Sequence, residues 1–280
     1  MRRIRFIKIL ALSLICQSAL AGEGKLLSTA GLTQIEGSAG GGLTPWASIA
    51  GYDTQDEISA SVFTTQVKVD DYRLHSTGIA LGLHDRVELS ATRQTFDLTT
   101  LGGDIEQNIY GVKIRLFGDL IYTSWPQISA GVQHKKLADG AIAQALGAAS
   151  YTSGSDYYLS ATKVHLGAVN GYNLLWNITA RASKANQTGL LGYGGVNGDS
   201  HELLLEGSLG VLLSREIAVG LEYRQKPDNL AVEEQDWADF FVAYIPNKNF
   251  NFALAWVDLG NIAGAEDQRG LYFSMTGYLK

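Results

Sequence analysis

The stretch YGVKIRLF (110–117) decides the fold. Successive side chains of an extended strand point to opposite faces. Tyr110, Val112, Ile114 and Leu116 therefore share one face, and Gly111, Lys113, Arg115 and Phe117 share the other. An apolar face backed by two neighbouring cations suits a strand with lipid on one side and water or counter-charge on the other, because an ionised group is costly in hydrocarbon.

The pattern recurs outward from there. In 127–135, Ile128, Ala130 and Val132 oppose Gln127, Ser129, Gly131, Gln133 and Lys135. In 174–183, Leu174, Trp176, Ile178, Ala180 and Ala182 oppose Asn177, Thr179, Arg181 and Ser183. Ile217, Val219, Leu221 and Tyr223 oppose Ala218, Gly220, Glu222, Arg224 and Lys226, and Phe250 to Trp256 continues the alternation. A water-soluble sandwich also alternates. Aromatic residues near strand ends, polar faces carrying both signs of charge, and connections that alternate short and long favour a membrane barrel instead. The pair Asp70-Asp71 is the exception to the turn rhythm, a tight turn on the long-loop side.

The expected fold is all-β: an antiparallel transmembrane β-barrel with about fourteen strands. Two of those strands would come from Leu26 to Ile35 and from Thr44 to Gly51. The alternative is twelve strands, with the glycine-rich N-terminal segment lying inside as a plug. In Tyr72 to Leu83 the apolar residues change parity, from Tyr72 and Leu74 to Ile79, Leu81 and Leu83, so a β-bulge is expected near Ser76 to Gly78. Tyr157 to Leu166 carries the same ambiguity.

Residues 1–21 read as a cleaved signal peptide. Arg2, Arg3, Arg5 and Lys8 precede an apolar run too short to span a bilayer as a helix, and Ala19-Leu20-Ala21 offers small residues for cleavage. Residues 22–280 then form a single outer-membrane barrel domain. Cleavage removes four basic residues and the only cysteine, leaving 18 Lys and Arg against 28 Asp and Glu. A surplus of negative charge argues against a nucleic-acid partner, which needs a basic face. The expected partners are outer-membrane lipid and small polar solutes.

The stretches KLLSTAGLTQIEGSAGGGLTPWASIAGY (25–52), DDYRL (70–74), GLHDRVELS (82–90) and YGVKIRLFGD (110–119) resemble a proteobacterial family of outer-membrane proteins catalogued only as a domain of unknown function. The resemblance implies location and fold. It brings no established activity and no functional residues to carry over.

Chemistry-bearing constellations are sparse. His75, His84, His134, His165 and His201 lack metal-ligand spacing, no cofactor motif is present, and no catalytic residue is assigned. Asp199-Ser200-His201 has hydrolase residue types, but consecutive strand residues diverge, so an outer-membrane lipid hydrolase is the least favoured function. The informative set is the inward charges: Glu88, Lys113, Arg115, Lys135, Arg181, Glu222, Arg224 and Lys226 are the candidate lumen-lining residues. They fit either a salt-bridged interior or the lining of a porin-like channel for small polar or anionic solutes, in which Arg115→Ala would alter ion selectivity. A non-transporting surface protein, binding a partner through loops Leu137 to Ser155 and Ala185 to Ser200, is the alternative.

Overall fold

The computed structural model describes residues 24–100 and 102–279; the expected signal peptide and Lys280 lie outside them. Two short strands come first, β1 (Leu32–Thr33) and β2 (Ala39–Gly40), paired only with each other. Twelve long strands follow: β3 (Ile58–Val69), β4 (Tyr72–Leu83), β5 (Val87–Leu98), β6 (Asp104–Phe117), β7 (Gln127–Leu137), β8 (Ser153–Val169), β9 (Tyr172–Ser183), β10 (Glu202–Leu212), β11 (Ile217–Arg224), β12 (Trp237–Asn247), β13 (Phe250–Asp258) and β14 (Arg269–Leu279). Each pairs antiparallel with the next, and β14 returns to β3 in a register running from Gly270↔Val69 to Leu279↔Ala60. The barrel is closed, so each of these twelve strands has two ladder partners and no edge is left for lipid to meet. No helix among the described residues is long and apolar enough to cross a membrane.

The wall therefore has twelve strands, and the expectation of fourteen is corrected. Leu26 to Ile35 and Thr44 to Gly51 do not join it; residues 30–52 are buried on every side and thread the interior. Leu43, Trp46, Ile49 and Tyr52 are all turned into protein, so the segment leaves no face for lipid.

Alternation across the wall is sharp. Val112 is 45% exposed and its neighbour Lys113 is 1% exposed. Ile79, Leu81, Ile178, Leu209, Leu221, Phe240, Leu254, Trp256 and Phe273 likewise stand on the outside. Connections 84–86, 170–171, 213–216 and 248–249 lie at one end of the barrel with Ile58 and Leu279. The longer 138–152, 184–201, 225–236 and 259–268 lie at the other end, together with the tight 70–71 turn. By the usual orientation of such barrels, the short-turn end is periplasmic.

The bulge expected in β4 is absent. Its pairing with β3 and β5 runs without a shift from Tyr72 to Leu83. The parity change has another cause: Tyr72 and Leu74 are buried inside, in an apolar part of the lumen, while Ile79 and Leu81 face outward. β8 does contain an irregularity, between His165 and Val169 near its turn.

Candidate functional site

The interior is organised around the inserted segment. A chain that crosses a lumen without joining a sheet must find other partners for its backbone groups. Here wall side chains supply them. Pro45 O accepts from Thr179 Oγ1 at 2.8 Å and Ser160 Oγ at 3.2 Å, and Ala47 O accepts from Gln127 Nε2 and Ser129 Oγ, each at 2.6 Å. Ile35 O accepts from Ser76 Oγ at 2.6 Å and Gln94 Nε2 at 2.9 Å. Much of the Ser, Thr, Gln and Asn on the inner faces of the strands is used this way.

Three charged anchors add to these contacts. Glu36, fully buried, is the segment's own carboxylate. It pairs with Lys135, with Arg224 Nη1 at 2.8 Å and with Arg181 Nη2 at 3.8 Å. Asp156 and Glu206 complete this cluster: Lys135 Nζ lies 2.6 Å from Asp156, and Arg181 Nε lies 2.6 Å from Glu206 Oε1. Glu206 also takes Arg224 Nε at 3.3 Å, so three carboxylates balance three cations.

The second anchor is the Glu88–Lys113 pair, 3.0 Å apart. Glu88 accepts from Ser38 Oγ, Ala39 N and Ala50 N, while Lys113 donates to Ala39 O and Ser48 O. The third is Glu222. Its Oε2 accepts Gly42 N at 2.6 Å and Leu43 N at 2.7 Å, and its Oε1 accepts Thr44 Oγ1 at 2.8 Å and Ser208 Oγ at 2.6 Å. A Cβ on Gly41 would fall 1.8 Å from Glu222 Oε1, which is why the chain carries glycine there.

Six of the eight sequence-predicted residues thus meet the inserted segment: Glu88, Lys113, Lys135, Arg181, Glu222 and Arg224. Two do not. Arg115 sits at the short-turn end, paired with Asp85 and, at 3.4 Å, with Asp119. Lys226 sits past β11 at the long-loop mouth, 3.3 Å from Glu234. Burial drives Lys226 down to about 8 and raises Glu234.

Glu36, Asp156 and Glu206 escaped the sequence reading. Asp156 lies before the ambiguous part of β8, and Glu206 follows Leu203-Leu204-Leu205, where both faces are apolar and parity is unreadable. Glu36 carries no periodic signal at all.

The long-loop mouth is covered. Residues 185–193 are buried, with Asn186 Nδ2 donating to Leu191 O and Gly194 O, and Gln107 Nε2 donating to Thr188 O. The first part of the expected loop Ala185 to Ser200 is thus folded inward against the inserted segment, and residues 196–200 stay largely exposed. At its rim Asp199 pairs with Lys184, and His201 Nε2 is hydrogen-bonded to Ser155 O. Among the described residues no group of three or more His, Cys, Asp and Glu is placed to hold a metal ion.

A closed barrel, apolar outside and holding a buried network of charges within, defines the class: a transmembrane β-barrel of the outer membrane. The model of the family described as "Protein of unknown function (DUF3034)" matches residues 29–276, and the chain belongs to that family. No curated protein matches it. Similar solved structures include a KdgM porin (10% identity, TM-score 0.48, covering 78% of this chain and 98% of that one). The Acinetobacter baumannii outer membrane protein Omp33 (9%, 0.44, covering 80% and 99%) is another. A third is an outer membrane channel from Pseudomonas putida F1 (12%, 0.43, covering 84% and 96%).

Proposed function

We propose that this protein is a porin-like channel for small polar or anionic solutes, held closed by its own N-terminal segment. One observation carries the reading. The segment is fixed to the wall largely by hydrogen bonds and ion pairs, groups that water can satisfy once the segment moves. With Glu36 withdrawn, Lys135, Arg181 and Arg224 face only Asp156 and Glu206, which leaves one cation in excess at that level. That excess favours an anion in transit.

Planar-bilayer recording on the refolded mature chain tests this. The native protein should be mostly closed, and Glu36→Gln should raise the open fraction. Arg224→Ala, in that variant, should shift the reversal potential toward cations. Arg115→Ala should leave selectivity nearly unchanged, because its partners are at the turn end. A Glu36→Gln barrel that folds yet never conducts would sink the proposal.

A further inference from the structure

One recess inside the barrel is lined mainly by hydrocarbon. At the short-turn end, inward residues of β8 to β12 and the start of the inserted segment enclose a cavity of about 160 Å³. Val164, Leu175, Leu212 and Phe241 line the wall side, and Leu32 and Trp46 line the other. Leu26-Leu27, Leu120-Ile121 and Arg215 also line it, with Leu26 and Arg215 exposed to solvent.

Protein interiors seldom leave a void much larger than a water molecule. Water would need two to four polar partners there, and the hydroxyl and indole groups of the lining are already engaged, with the Arg215 guanidinium turned to solvent. Trp46 Nε1 donates to Ser208 Oγ, Thr162 Oγ1 to Asn177 Oδ1, Ser28 Oγ to Arg215 O and Thr29 Oγ1 to Leu26 O. Asn173 Oδ1 accepts from Gly167 N. In size and lining the space matches apolar cavities of roughly 150 Å³ that stay dry and take up benzene. Trp46 and Phe241 offer ring surfaces for an aromatic guest.

The cavity also borders a packed apolar seam. Phe241 and Ala243 belong to an apolar cluster that continues along Ala253, Ala255 and Val257 of β13 to Leu259 and Ile262 at the long-loop mouth. The lumen is therefore not polar throughout: this seam along β12 and β13, broken by buried Asp239 and Asn251, runs beside the charged network that β5 to β11 anchor.

We infer that the short-turn cavity is a binding site for an uncharged, ring-sized hydrocarbon such as a monoaromatic. The site stands on its own geometry; only its role as a station on a transmembrane route rests on the channel reading.

Crystals of the full mature chain equilibrated with bromobenzene test it. A bromine anomalous peak should appear among Trp46, Leu175 and Phe241, and 4-bromobenzoate should give none. In nanodiscs, depletion of bromobenzene from the headspace should show at least tenfold weaker binding for Ala218→Phe, which fills the cavity. Ala243→Leu, from the adjacent strand, serves if that variant does not fold. Ordered water or a lipid chain in the cavity would overturn the inference. So would equal occupancy by 4-bromobenzoate, or undiminished binding by a folded cavity-filled variant. Conductance is not part of the readout, so a barrel that binds bromobenzene but never opens would count against the channel alone.

Discussion

At Glu36 three wall cations converge on one carboxylate supplied by the inserted segment. Removing one partner of a buried ionic network leaves charge uncompensated, at a cost of roughly 3–5 kcal/mol. Glu36→Gln should therefore loosen the segment by about that much. A cysteine placed at Ala50, buried in the segment, reports it: thiol labelling should be slow in the otherwise native protein and fast with Glu36→Gln. Gly41→Ala acts through sterics instead. Its methyl would fall on the Glu222 carboxylate, which must then shift from the Gly42 and Leu43 amides, and labelling should accelerate there too.

At the scale of the element, β6 shows how one strand serves two solvents. Val112→Lys places an ammonium on the lipid face and should cost about 2–4 kcal/mol near the bilayer midplane. From strand parity alone, Lys113→Val would be expected to cost much less. The structure reverses that expectation. Lys113 neutralises buried Glu88 and holds two carbonyls of the inserted segment, so its loss should cost as much or more, about 3–5 kcal/mol. Urea unfolding in lipid vesicles compares the two, and Lys113→Val with Glu88→Gln should recover part of the loss. β4 makes a related point. Its apolar residues change faces without a bulge, because the lumen beside Tyr72 and Leu74 is apolar and the membrane beside Ile79 and Leu81 is apolar as well.

For the molecule as a whole, the long-loop mouth sets access. Lys226 and Glu234 are buried together there, and burial opposes charge on both. Lysine in an opened loop titrates near 10.4, against about 8 when docked. Between those values the open loop binds the extra proton, so docking of residues 225–236 strengthens as pH rises through that window. Glu234 has the opposite sign: its raised carboxyl contributes stability at low pH that is lost as pH rises through its folded value. The loop is thus least firmly docked between the two. A spin label at Asp228→Cys should be most mobile in that interval, and Lys226→Met should abolish the alkaline change.

The sequence by itself determined the faces of the wall strands from Ile58 onward, though it also assigned two strands of 26–51 to the wall. Alternation is a local property with a period of two, so 110–117 revealed its lipid face and its two cations without any knowledge of neighbours. It also fixed which end of each strand carries the short turn. Only the tertiary structure decided what fills the barrel. Residues 30–52 have no period, because every side of that segment meets protein, and their partners on the wall lie up to more than two hundred positions away, as Thr33 and Thr276 do. Which inward charge meets Glu36, which carboxylate receives the Gly42 amide, and where the lumen turns from polar to apolar are distances across a closed cylinder. Strand parity orders side chains into faces, and closure then decides which faces touch.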